Sequence, residues 1–275
     1  MPLTLRWAAA TPLPIDADGL RPDLLAGLTA AEVARRPILA GNAPAEVGDL
    51  FRVAGDPADG HLIVEGDLRR LRRLGAGMGS GTLTVRGDAG PGLGAGMAGG
   101  TVEVSGSVGD GACAAMSGGL ACIRGSAGDG LGGAPPGAWV GMREGVILVE
   151  GSVGADAGLA MRRGLIAVAE SAGPGFGRGL IAGSLFAFGP VAPHPGAGMK
   201  RGTLAFFDES APPELLPTFR YACRYRPPVA TIYLRRLAAW GFPVPPRAFA
   251  GTFGRYNGDL IEDGQGEVWA WAPEG

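Results

Sequence analysis

Two histidines, three cysteines and 26 carboxylate side chains are what this chain offers for acid–base, nucleophilic or metal chemistry. Their spacing gathers none of them into a recognisable site. His61 and His194 are far apart, and Cys113, Cys122 and Cys223 form no Cys-x-x-Cys pair. Zinc spacing and a secreted disulfide framework are both missing. Reduced thiols, and with them a cytoplasmic location, are the simple expectation. Residues 94–99 spell Gly-x-Gly-x-x-Gly, but no βαβ pattern surrounds them, which argues against a dinucleotide site. No glycine run continues into Gly-Lys-Ser/Thr, and no Gly-x-Ser-x-Gly elbow occurs with a plausible triad. Asp88, Asp110, Asp129 and Asp156 stand at turn positions, where carboxylates serve turn formation and solvation. Glu65, Glu103 and Glu150 fall on strand-like runs without converging. No catalytic and no metal-ligating residue is nominated.

One cluster stands out. Arg69, Arg70, Arg72 and Arg73 crowd into residues 68–74. Two readings stand side by side. The cluster is a solvated basic loop or an intersubunit salt-bridge site, or it docks the tail of a polyanionic ligand, because guanidinium forks match carboxylates. These four arginines are the only cofactor-binding candidates.

The elements that would position such groups follow from a repeat. Met78, Met97, Met116, Met142, Met161, Leu180 and Met199 are spaced by 19 residues, except for one step of 26. Three residues after each stands Gly81, Gly100, Gly119, Gly145, Gly164, Gly183 or Gly202. The seven extra residues fall in the Gly/Pro-rich stretch 132–138. A fixed period near 20 residues implies stacked copies of one supersecondary unit. After each such glycine come two apolar residues at even spacing, as in Leu83/Val85 and Ile166/Val168, which is the pattern of a short strand with one buried face. The 51 glycines and 23 prolines then mark corners rather than disorder, since 46% of the 275 residues are apolar and keep register with them. The methionines read as one interior ladder.

The other side of these strands changes character along the chain. It is polar at Thr82, Thr84 and Thr101, and apolar at Leu120, Val146, Leu148, Leu165 and Phe186. Those five form a candidate interface, covered either by the C-terminal segment or by another subunit. Three regions are expected: an N-terminal cap over 1–47, stacked coils over 48–208, and a C-terminal helix and tail over 209–275. In the cap, residues 22–36 suggest a short amphipathic helix, and Thr29 with Glu32 resembles a capping box for a second one. Pro37 would end it. Strand-like runs occupy 50–53 and 62–65. Residues 230–240 read as a helix, and the end of the tail as a strand. Net charge is −2, which gives no electrostatic case for nucleic acid. The N-terminus lacks a signal-peptide pattern, and no apolar run is long enough to span a bilayer, so no membrane partner is expected.

As a set, the units at 75–87, 94–106, 113–125, 139–151, 158–170, 177–189 and 196–208 read Gly/Trp-x-x-Met-x-x-Gly-x-apolar-x-apolar-x-Gly. This set resembles the C subunits of formylmethanofuran dehydrogenases as a family, and more narrowly the C subunit of the bacterial formyltransferase/hydrolase complex. Departures are Cys113 at a first position, Leu180 for Met, Ala121, Ala187 and Phe206 at apolar slots, and Glu170 and Asp208 for the closing glycine. The stretches at 256–259 and 264–267 look like the family's tail.

The resemblance implies a right-handed parallel β-helix of about seven 19-residue coils with short helical extensions. It implies a non-catalytic structural subunit, with a hydrolase-like A subunit, a B subunit and a formyltransferase D subunit as partners. The complex would pass the formyl group of 5-formyl-tetrahydromethanopterin to methanofuran and hydrolyse formylmethanofuran to formate, in formaldehyde oxidation. Methanofuran and tetrahydromethanopterin would serve the complex, a partner subunit would hold the metal, and this chain would bind no cofactor. Two alternatives stay open: the C subunit of a formylmethanofuran dehydrogenase, and a glutamate-synthase-like Gly-x-Gly-x-Gly structural domain. A β-helical lyase would need clustered exterior acids, Arg or Lys, and a hexapeptide acyltransferase would step by 18 residues rather than 19.

Overall fold

The computed structural model of the chain describes residues 1–210 and 212–272. The N-terminal region builds β1 (Leu3–Trp7), β2 (Ile15–Asp16), α1 (Pro22–Leu25), α2 (Ala30–Ala34), β3 (Pro37–Ala40), β4 (Ala43–Glu46), α3 (Val47–Leu50), β5 (Phe51–Ala54), β6 (His61–Glu65) and β7 (Leu71–Arg72). Seven strands follow, one per 19-residue unit: β8 (Thr82–Arg86), β9 (Thr101–Val104), β10 (Ser117–Ile123), β11 (Glu144–Val149), β12 (Leu165–Val168), β13 (Ser184–Ala187) and β14 (Arg201–Phe206). The chain ends in β15 (Arg220–Tyr225), α4 (Pro228–Ala239), β16 (Thr252–Gly258) and β17 (Gln265–Ala272).

Thirteen strands make one mixed sheet in the order β15-β16-β17-β14-β13-β12-β11-β10-β9-β8-β6-β1-β5, and β4-β3-β2-β7 make a second, four-stranded sheet. From β1 through β6, β8–β14 and β17 neighbours pair in parallel, while β5, β16 and β15 join antiparallel at the two ends. Register keeps the even-spaced apolar residues opposite one another: Leu83 faces Val102, Val102 faces Ala121, and Ile147 faces Ile166. All are fully buried.

A right-handed parallel β-helix is therefore not the observed architecture, and that expectation is corrected. The chain forms a large mixed sheet with antiparallel edges. The reason is local. Each unit holds one stretch of side chains long enough to sustain a strand ladder. The remainder of the unit is rich in glycine, which packs nothing and weakens extended pairing. There strand-type pairing shrinks to single-residue bridges such as Leu68 to Ala89 and Ala89 to Val108, beside backbone hydrogen bonds between turns such as Gly77 N–H to the Ala95 carbonyl.

The ends also differ from expectation. The stretch read as one amphipathic helix is two single-turn helices, α1 and α2. The Thr29–Glu32 capping box opens the second, and Pro37 begins β3. The tail contributes three strands in addition to its helix, and β17 continues the parallel run by pairing with β14.

Two apolar cores result. One lies on the inner side of the strands and contains the methionines. The other lies between the opposite face of β11–β14 and the C-terminal segment, where Ala230, Leu234 and Leu237 of α4 meet Leu148, Leu165 and Phe186. The i, i+4, i+7 spacing puts those three residues on one helix face. Burying each leucine contributes about 1.5–3 kcal/mol.

Candidate functional site

Met78, Met97, Met116, Met142, Met161, Leu180 and Met199 are all 0% exposed. The glycines three residues on have φ between 80° (Gly100) and 105° (Gly164). The methionines thus fill the interior rather than face a ligand.

The Arg69–Arg73 cluster is dispersed. Arg69 grips Asp67 through two hydrogen bonds of 2.8 and 2.9 Å, which holds the Asp67 carboxyl down at about 2. Arg70 donates to the Pro12 carbonyl. Arg73 pairs with Asp16 and, at 3.3 Å, with Asp18. Burial works against the Asp16 carboxylate, but the Arg73 hydrogen bond and the charges of Arg73 and Arg72 hold it below the usual range. The cleft of about 330 Å³ beside Arg69 is also lined by Asp88 and Asp110. Three of the four arginines are thus tied into the N-terminal region, and the hollow next to them is acidic.

Of the five candidate interface residues, Leu148, Leu165 and Phe186 are at most 6% exposed. The C-terminal segment covers them. Leu120 and Val146 are partly buried at the margin of that contact. Along this margin runs a groove of about 600 Å³, lined by Glu144, Val146, Arg163, Tyr233, Arg236 and Trp240 among others. Its walls are held in place. The Arg236 guanidinium sits 4.7 Å over the Trp240 ring, Tyr233 meets Phe186 edge-on at 5.1 Å, and its hydroxyl lies 3.3 Å from that of Ser184.

Beside the groove is a row of cations that the sequence reading missed. Arg143, Arg162, Arg163, Lys200 and Arg201 follow directly after the methionine positions and are exposed. Backbone bonds from Arg143 to Met116, Arg162 to Met142 and Lys200 to Leu180 align them at one rim. Lys200 lies 3.6 Å from Glu262. Among the described residues, the guanidinium groups of the other four make no ion pair or hydrogen bond. Arg162, Arg163, Lys200 and Arg201 line a hollow of about 360 Å³ with Asp263 and Gln265, and Arg163 borders both cavities. The signal was present in the sequence. The same positions carry Gly79/Ser80, Ala98/Gly99 and Ser117/Gly118 in the first three units, and Arg143/Glu144, Arg162/Arg163 and Lys200/Arg201 in the fourth, fifth and seventh, with Ile181/Ala182 in the sixth.

Elsewhere, reactive groups are engaged. Glu65 accepts from Arg6 at 2.6 Å, and Glu150 pairs with Arg124. Burial pushes the Cys113 thiol up to about 12. The partly buried Cys122 thiol is raised too, by burial and then by the charge of Glu103. His61 Nε2 lies 2.9 Å from the Thr84 hydroxyl, and His194 lies 3.8 Å from Glu214. Among the described residues, no three His, Cys, Asp or Glu side chains come together to hold a metal ion. Among the described residues, no helix is long and apolar enough to cross a membrane. The groove and its cationic rim suit recognition of carboxylate-bearing surfaces.

No family model matches the chain. The C subunit of molybdenum-containing formylmethanofuran dehydrogenase 1 from Methanothermobacter thermautotrophicus is 37% identical over 79 residues, 28% of this chain and 20% of that protein. The C subunit of tungsten-containing formylmethanofuran dehydrogenase 2 from Methanothermobacter wolfeii is 35% identical over 80 residues, 28% and 30% of the two. The C subunit of the Methylorubrum extorquens formyltransferase/hydrolase complex is 36% identical over 87 residues, 32% of each. The matches thus span between 20% and 32% of the length of these curated relatives. In structure the similarity is nearly complete. A chain in the crystal structure of the Methylorubrum extorquens formyltransferase/hydrolase complex (FhcABCD) with methylofuran superposes with a TM-score of 0.84 at 34% identity, over 97% of this chain and 98% of that one.

Proposed function

The chain belongs to the family of the C subunit of the formyltransferase/hydrolase complex, and from that premise we propose that it is the structural, non-catalytic subunit of such a complex. Its partners are a hydrolase-like A subunit, a B subunit and a formyltransferase D subunit. Together they convert 5-formyl-tetrahydromethanopterin to formate through formylmethanofuran. Methanofuran and tetrahydromethanopterin serve the complex, and a partner subunit holds the metal. The observation that carries this reading is the near end-to-end superposition on a chain of that complex at 34% identity.

The state of the reactive side chains supports a non-catalytic role. The Cys113 thiol is 0% exposed and raised to about 12, so it is neutral at ordinary pH. Glu65 and Glu150 are neutralised in ion pairs. The unpaired arginines beside the α4 groove are a recognition surface. A second reading, the C subunit of a formylmethanofuran dehydrogenase, draws on the 37% identity to the molybdenum enzyme's chain, but that match spans 28% of this chain.

The test is to tag the chain in its native cell, purify it gently and identify what comes with it by mass. The A, B and D subunits should appear in constant ratio. Formate should form from 5-formyl-tetrahydromethanopterin with the assembly and not with the lone chain. Turnover by the lone chain ends the non-catalytic reading.

A further inference from the structure

The thirteen-stranded sheet ends at β15, so among the described residues no strand lies on the outer side of that strand. Five of its six residues are exposed and the sixth is half-buried. β15 is thus open at its edge and wet on both faces. The other terminal strands are blunted. β5 carries buried Phe51 and packs against α2 and α3. β4 has four residues and includes Pro44, which cannot donate to a ladder. β7 has only two residues. Holding six residues extended costs conformational entropy, and the exposed faces of β15 return little burial to offset it. An open edge of this length is a template for another strand.

Charge selects the occupant. Residues 215–258 hold seven arginines and neither Asp nor Glu, in a chain whose net charge is −2. Arg247 and Arg255 are taken up by Glu209 and Glu267, whereas Arg220 on the strand itself makes no ion pair among the described residues. Arg220 opens the strand and Arg226 follows it. A second copy of the chain would bring the same arginines face to face, which disfavours self-pairing. Tyr221 is 59% exposed and braced edge-on by Tyr256 at 5.5 Å, the disposition of an aromatic anchor.

We infer that the outer edge of β15 receives an extended, acidic segment of a partner subunit as an added strand. This inference rests on the structural-subunit reading above. Backbone hydrogen bonds would supply the pairing, and the arginines would select carboxylates on the incoming segment.

Cys223, in the middle of β15, is a built-in reporter because it is the exposed cysteine, whereas Cys113 is buried. The intact complex is treated with N-ethylmaleimide and Cys223 is followed by peptide mass spectrometry, beside the isolated chain. Labelling should slow at least about tenfold in the complex. Amide exchange over residues 220–225 should slow in parallel, as strand pairing requires and side-chain cover alone does not. A photo-cross-linker replacing Tyr221 should capture a segment of a partner subunit rich in Asp or Glu. Equal labelling in both states overturns the inference, as does fast amide exchange in the complex or a cross-link to a second copy of this chain. Arg220→Glu should reduce co-purification of that partner at least about tenfold without lowering the melting temperature of the lone chain, and undiminished recovery also overturns it. If no partner subunit co-purifies with the unmodified chain, the structural-subunit reading falls first and the inference falls with it. If the complex forms and Cys223 stays reactive, the inference alone falls.

Discussion

The terminal methyl of Met142 lies 2.6 Å from the point where a side chain on Gly164 would begin. The same relation joins Met97 to Gly119, Met116 to Gly145 and Met161 to Gly183, each at 2.7 Å. The Met-x-x-Gly spacing is thus a contact between units. Each methionine reaches forward into the gap left by the glycine of the next unit. Gly164 also has φ of +105°, a conformation L side chains rarely adopt.

Gly164→Ala should therefore destabilise the chain by about 2–3 kcal/mol, from overpacking and backbone strain together. Met142→Ala alone should cost about 2–5 kcal/mol through the cavity it leaves. In the double variant the methyl conflict disappears while the Gly145 carbonyl, 2.7 Å from the new Cβ, remains. The double loss should fall short of the sum by about 1 kcal/mol or more. Urea unfolding of the four proteins measures this, and strict additivity would show that the two residues do not compete for one space.

The C-terminal helix supplies a second contrast. Leu237 is 0% exposed and Ile232 is 68% exposed, on opposite sides of α4. Leu237→Ala should cost about 2–5 kcal/mol, and Ile232→Ala should stay within about 0.5 kcal/mol. Because α4 shields Leu148, Leu165 and Phe186, Leu237→Ala should also raise binding of a hydrophobic dye before the main unfolding transition. Equal effects of the two substitutions would mean that α4 does not seal that face.

Much of this arrangement was legible in the sequence because it depends on residues close together in the chain. The capping box needs only Thr29 and Glu32, three residues apart. Of the apolar stripe that the sequence suggests for α4, Leu234, Leu237, Ala238 and Trp240, the two leucines are buried, while Ala238 is exposed and Trp240 half-buried. What escaped depends on distant partners. Arg73 lies four residues from Arg69, yet it is neutralised by Asp16 and Asp18 at the other end of the N-terminal region. The cationic rim is invisible along the chain, since Arg143 and Arg201 are 58 positions apart. It becomes a row only when the units are stacked. Period alone also did not reveal that glycine-rich corners would fail to sustain further sheets, so a mixed sheet stands where a β-helix was expected.

The cationic rim should matter for association and not for folding. Arg163→Glu with Arg201→Glu should leave the melting temperature of the lone chain within about 2 °C, because exposed unpaired charges contribute little to stability. The same pair should weaken assembly with the partner subunits at least about tenfold and flatten its dependence on salt between about 50 and 500 mM, over which screening of exposed charges becomes strong. Sedimentation of mixed subunits across that range reads both. Assembly that keeps its full salt dependence in the variant would remove the rim from the interface.

Cys113 makes a prediction at the alkaline end. Burial lifts its thiol from 9.0 to about 12 in the folded chain. Its contribution to stability is complete below about pH 9 and is lost as pH rises toward about 12, because over that window the unfolded chain releases a proton that the folded chain keeps. The loss amounts to about 1.4 kcal/mol per pH unit while it lasts. Cys113 stands at φ of 53°, where the equivalent positions of other units carry Gly94, Gly158 and Gly177, so Cys113→Gly keeps the backbone while removing the thiol. Urea unfolding at about pH 8.5 and about pH 10.5 should show the parent chain losing about 2 kcal/mol more than the variant across that interval. Equal losses would mean that the thiol ionises as readily folded as unfolded, and that the space around Cys113 admits water.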